Sequence, residues 1–109
     1  MLSVSRLRLL VELHRRGTLA QVAEALSYTP SAVSQQLSLL EREAGVPLLE
    51  RVGRGVRLTG AAVTLVAHAE AVLTQLELAE SDLAAVQSTV GGALRVASFQ
   101  TVVFAIIPQ

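Results

Sequence analysis

Ser31, Ser34, Gln35 and Ser38 are followed four positions later by Arg42, and on a helix of 3.6 residues per turn these offsets share one face. Hydroxyls and a primary amide donate and accept hydrogen bonds without carrying charge, and no acidic residue precedes Glu41 in that stretch. Such a face suits contact with a polar surface that carboxylates would be repelled by. Further along, Arg51, Arg54 and Arg57 cluster around Gly53 and Gly55, which places guanidinium groups, fitted to anionic oxygens, on a flexible tip. Together the two groups point to a surface that is polar at its centre and anionic at its edges.

The charge distribution agrees. The 109 residues carry nine Arg and no Lys against eight Glu and one Asp, for a net charge of zero. Residues 1–60 nevertheless hold eight Arg against five Glu, while residues 61–90 hold no Arg and four acids, Glu70, Glu77, Glu80 and Asp82. A negatively charged partner would meet the first half of this dipolar chain.

Other chemistries are poorly served. Cysteine is absent, so disulfides, Cys-ligated metals and thiol catalysis are excluded. Three aromatics, Tyr28, Phe99 and Phe104, are too few for a base-stacking platform. His14 and His68 lie far apart in apolar helical patterns and read as partly buried helix residues. Ser98 lacks a nucleophile-elbow pattern, and no carboxylate pair adjoins a glycine-rich phosphate loop. The expectation is therefore no enzyme, no cofactor and no metal. Arg6 and Arg8 interrupt the sole candidate leader, and the longest apolar run, residues 102–107, is far short of a bilayer span. A cytoplasmic chain without a membrane partner is expected.

Periodicity then supplies the elements that must position these residues. Val4, Leu7, Leu10, Val11 and His14 define the inward face of a first helix that Gly17 ends. Thr18 caps a short second helix through Leu26, with Val22, Ala23 and Leu26 inward. Thr29-Pro30 opens a third, spanning 30–44, with Val33, Leu37, Leu40 and Ala44 inward. Residues 48–58 read as a small hairpin with a glycine-flanked arginine tip. Thr59 caps a long helix to about residue 87, in which Ala62, Leu65, Ala69, Val72, Leu76, Ala79, Leu83 and Val86 repeat at heptad spacing. Val63, Val66, Ala67, Leu73 and Leu78 form a second apolar edge, so this helix should pack both on its own domain and on a partner chain.

The order of helix, turn, helix and basic hairpin is that of a winged helix-turn-helix. The fold expected is mainly α, with a winged helix-turn-helix over 1–58, a long dimerisation helix over 59–87, a hinge over 88–92 and a truncated α/β tail over 93–109. Leu65, Ala69, Val72, Leu76 and Leu83 are the expected dimer contacts. The function these elements suit is reading double-stranded DNA, with the third helix in the major groove and the wing on the flanking backbone or minor groove. A rival, drawn from the strength of the heptad, is a dimerisation module whose DNA surface is weak.

Several stretches, 17–26, 31–37, Leu40-Glu41, 45–51 and 53–59, resemble the LysR-type transcriptional regulators. The resemblance implies a winged helix-turn-helix, a linker helix that pairs with a second subunit, and a C-terminal effector domain, in proteins that act as dimers or tetramers and nearly three times this length. Position by position, it implies base contacts from Ser31, Ala32, Ser34 and Gln35. It implies backbone contacts from Thr18, Gln21, Gln36, Ser38, Arg51 and Arg54, with mere solvation an equal alternative for Gln21 and Gln36. Arg42 is expected to pair with Glu41, Glu43 or Glu50. Ser98, Gln100 and Thr101 resemble loop residues bordering an inducer cleft, which only a full-length form would close around a small molecule. Two departures stand out: Pro30 where Gln is common, which alters the first base contact, and Leu49 where Phe is usual.

Overall fold

The computed structural model describes the backbone of residues 1–92 and the side chains of residues 1–88. The elements in order are helices α1 (Val4–Arg16), α2 (Leu19–Leu26) and α3 (Pro30–Ala44), strands β1 (Leu49–Val52) and β2 (Gly55–Leu58), and helix α4 (Gly60–Gly92). The chain divides into two units, Met1–Thr74 and Gln75–Gln109. The expected tail over 93–109, with Ser98, Gln100 and Thr101, lies outside the described residues.

Each helix in the first unit begins and ends for a local reason. Ser3, Thr18 and Thr29 are extended N-caps whose hydroxyls accept from the backbone N–H of Arg6, Gln21 and Ala32, satisfying donors that the helix itself leaves orphaned. Pro30 occupies the first turn of α3, where a missing N–H costs nothing. Gly17 and Gly45 end α1 and α3 in the left-handed conformation. Ser27 ends α2 the same way, at φ 61°, without the freedom of a glycine.

The core is one cluster in the first unit. Leu7, Leu9, Leu10, Val11 and Leu13 of α1 meet Val22 and Ala23 of α2, Val33, Leu37 and Leu40 of α3, Leu48, and Ala62, Val66, Ala69 and Leu73 of α4. Burial corrects the predicted inward face of α1: Val4 and His14 are exposed, whereas Leu9 and Leu13 are buried. A helix packed on more than one side has no single stripe for periodicity to find. His68 is exposed as well.

The hairpin pairs antiparallel, with Leu49 opposite Leu58, Glu50 opposite Arg57, Arg51 opposite Val56 and Val52 opposite Gly55. Gly53 supplies a positive φ of 58° at the first position of the two-residue turn, leaving Arg54 at the tip. Strand alternation puts Leu49, Val56 and Leu58 on the side that packs against the core.

Two expectations about α4 are corrected. The boundary after residue 58 does not close a compact unit, because Ala62, Val66, Ala69 and Leu73, at 4-3-4 spacing, complete the core and carry the unit to Thr74. The hinge expected over 88–92 is helical through Gly92. Extending an existing helix costs only about 1 kcal/mol at a glycine, and no proline intervenes. Residues Gly60–Ser88, at mean hydropathy 1.2, are also long and apolar enough by length and composition to cross a membrane. The part up to Leu73 is instead occupied with the core, and Glu70, Glu77, Glu80 and Asp82 are carboxylates that a bilayer interior disfavours.

Candidate nucleic-acid interface

With Val33, Leu37 and Leu40 buried, α3 turns Ser31, Gln35, Ser38 and Arg42 fully outward, while Ala32 and Ser34 are half-buried at the edges of that face. Two ties hold this ridge in place. Arg6 of α1 reaches across to the middle and C-terminal turns of α3: its Nε donates to Gln36 Oε1 at 2.9 Å and its Nη1 to Glu43 Oε2. The Ser3 backbone N–H donates to Glu43 Oε1 at 3.1 Å, so the start of α1 is bonded to α3 at two positions seven residues apart. Between those two positions Glu41 Oε2 accepts from the backbone N–H groups of Leu48 and Leu49, at 2.8 and 3.0 Å.

Glu41 thereby positions the wing. Thr59 closes the same junction: its N–H donates to Leu48 O at 3.0 Å, its hydroxyl donates to Pro47 O at 2.9 Å, and the hydroxyl oxygen accepts from Ala62 N at 3.1 Å. Across the hairpin, Arg57 Nε donates to Glu50 Oε1 at 2.8 Å. Arg51 and Arg54 are exposed and form no ion pair among the described residues. The structure thus brings together an outward ridge free of carboxylates and two unpaired guanidinium groups in the wing.

Other expected contacts fare differently. The Thr18 hydroxyl accepts from Gln21 N and donates to Gln21 Oε1, both at 3.1 Å, so this pair is tied together at the exposed start of α2. Gln36 is half-buried, with its carbonyl oxygen accepting from Arg6 Nε, an engagement that leaves its amide N–H groups, the donors a phosphate would need, uncommitted. Ala69 is 1% exposed within the first unit and cannot serve a partner chain as expected. Leu65 is half-exposed at the core's margin, and Val72, Leu76 and Leu83 are exposed. Arg42 forms no ion pair among the described residues, because each acid expected to hold it is engaged elsewhere: Glu41 by Leu48 and Leu49, Glu43 by Arg6 and Ser3, and Glu50 by Arg57. The positioning roles of Arg6 and Glu41 were missed by sequence reasoning, whereas Thr59, expected as a helix cap, serves as one; a polar residue at the edge of an otherwise apolar helix face was the available signal. Among the described residues no group of three or more His, Asp and Glu side chains is placed to hold a metal ion.

This geometry has counterparts. Residues 4–63 match the family model described as a bacterial regulatory helix-turn-helix protein of the lysR family. The chain belongs to the LysR family. Relatives of this LysR-family chain include the RuBisCO operon transcriptional regulator of Acidithiobacillus ferrooxidans, 31% identical over 91% of this chain and 32% of the relative. The HTH-type transcriptional regulator MetR of Haemophilus influenzae is 35% identical over 88% of this chain and 31% of its own length. The chain spans about a third of the length of the curated relatives it matches. Among solved structures, the BenM DBD in complex with catB site 1 DNA superposes with a TM-score of 0.74 at 25% identity, covering 80% of this chain and 94% of that one. The CbnR DBD–DNA complex gives 0.72 at 26% identity, covering 79% and 99%.

Proposed function

We propose that this chain is the DNA-binding and dimer-forming part of a LysR-type transcriptional regulator, acting on double-stranded DNA in the cytoplasm. The observation that carries the reading is the outward ridge of α3, carboxylate-free from Ser31 to Ser38 and flanked by unpaired wing arginines. The likeness to DNA-bound BenM and CbnR domains supports it.

In this reading Ser31, Ala32, Ser34 and Gln35 face base edges in the major groove. Gln35 can bond bidentately to adenine, serine hydroxyls can donate or accept, and Ala32 offers a methyl to thymine. Thr18, Gln21 and Ser38 lie towards the backbone, with Arg51 and Arg54 on flanking phosphates or in the minor groove. Pairing of α4 with a second copy through Leu65, Val72, Leu76 and Leu83 would present two such ridges to half-sites ~34 Å or a small multiple apart. A tetramer, and a small-molecule inducer, would belong to a longer form of the protein.

Selecting bound duplexes from a random pool tests this directly, and should return a two-fold-related site. On that site Gln35→Ala is expected to lose about 1–3 kcal/mol of discrimination at a single base pair. Arg54→Ala should weaken all duplexes alike and flatten the log–log salt dependence by ~0.9. An affinity independent of salt, or indifferent to both substitutions, would remove the DNA assignment.

A further inference from the structure

We infer that Arg42, at the far end of the ridge, is a phosphate-binding residue that anchors the C-terminal end of α3 to the DNA backbone; this rests on the DNA-binding reading above. Four observations converge on it. Arg42 is exposed on the same face as Ser31, Gln35 and Ser38, at offsets of 11, 7 and 4 residues that keep it in line with them. Glu41, Glu43 and Glu50, the acids nearest in sequence, are each bonded to other groups, so Arg42 has no ion pair among the described residues.

The third observation is distance. Seven helical residues place the Arg42 α-carbon ~10.5 Å along the axis from that of Gln35. The major groove is about 12 Å wide, so its bounding phosphates lie about 6 Å from its centre. With Gln35 at a base edge near that centre, Arg42 lies beyond the span of the bases, where its long side chain meets backbone. The fourth is the local surface. Arg42 borders a shallow depression lined by Ser38, Glu41, Gly45, Val46 and Pro47. Glu41 is the acid in that lining, and two backbone N–H groups bind its carboxylate, which offsets the repulsion it would offer a phosphate. Ser38 adds a hydroxyl donor on the same side. A phosphate contact of this kind fixes how far the helix slides along the groove, and so the register in which Ser31 to Gln35 meet the bases.

A competing role is available, because Arg42 lies in the last turn of α3, where a cation complements the helix dipole. The two roles separate experimentally. The whole chain is titrated with its selected duplex and with a random duplex over a range of salt concentrations, as wild type, Arg42→Ala and Arg42→Lys, alongside thermal unfolding of each free protein. Arg42→Ala is expected to flatten the log–log salt slope by ~0.9 and to weaken both duplexes by about eightfold at 0.1 M salt, the factor that slope implies. Arg42→Lys should restore most of the slope. A wild-type slope retained by Arg42→Ala, with or without a lowered melting temperature, overturns the assignment and leaves the DNA reading standing. A loss confined to one base pair also overturns it, by making Arg42 a base reader. A wild type whose affinity ignores salt overturns both.

Discussion

Ser27 holds a left-handed backbone, φ 61° and ψ 41°, and is the one non-glycine residue with positive φ among those described. The bend it makes lets the Tyr28 N–H close on Ala23 O at 2.8 Å and sets the turn between α2 and α3. For an L-residue this conformation costs about 1–2 kcal/mol, and a glycine would relieve it while losing somewhat more freedom on folding. Ser27→Gly is therefore expected to stabilise the free protein by about 0.5–1 kcal/mol, read as a raised denaturation midpoint with an unchanged denaturant slope. A lowered midpoint would mean that the serine side chain contributes more than its backbone strain costs. The turn signal was absent from the sequence because serine carries no general preference for that conformation, in contrast to Gly17 and Gly45, whose positions were legible.

At the scale of elements, ridge and wing are one assembly joined by Glu41. Its carboxylate binds two consecutive backbone N–H groups at the root of β1, and hydrogen bonds to a charged group are the stronger kind. Glu41→Ala should cost about 2 kcal/mol in chemical denaturation. It should also weaken DNA binding in the way Arg54→Ala does, since the tip arginine would lose its fixed position. Unchanged stability would show the wing held by Leu48 and Thr59 alone. Arg6 ties α1 to the same half of α3, bridging Gln36 and Glu43 on either side of Glu41. Gln36 sits at the rim of the helix, neither fully inward nor fully outward, and helical period alone does not decide which of those a rim residue serves.

For the whole molecule, the defining feature is that α4 divides its apolar residues between two uses. Ala62, Val66, Ala69 and Leu73 are buried in the core, while Leu76 and Leu83 stand 43% and 68% exposed. Exposed leucines at heptad spacing favour a second helix as their cover. Leu76→Glu, beyond the last core residue, should leave thermal unfolding of the free chain nearly unchanged and weaken self-association at least tenfold. Sedimentation equilibrium at tens of micromolar distinguishes the outcomes. A wild type that is monomeric there, or a variant that dimerises equally well, would remove the proposed pairing.

Local chemistry written in the chain itself determined the helix order, the caps at Thr18, Thr29 and Thr59, the hairpin with its arginine tip, and the polar ridge of α3, because each depends on neighbours within a few residues. The assignment of each apolar or charged side chain to a partner was decided by tertiary structure. Ala69 and Val72 share one heptad pattern, yet the first is buried in its own domain and the second is exposed. Three acids near Arg42 in sequence all bond elsewhere in space. Periodicity specifies a direction around a helix axis, but what occupies that direction is set by packing among segments distant in sequence, and so were the exposed leucines and the unpaired arginine on which the proposed contacts rest.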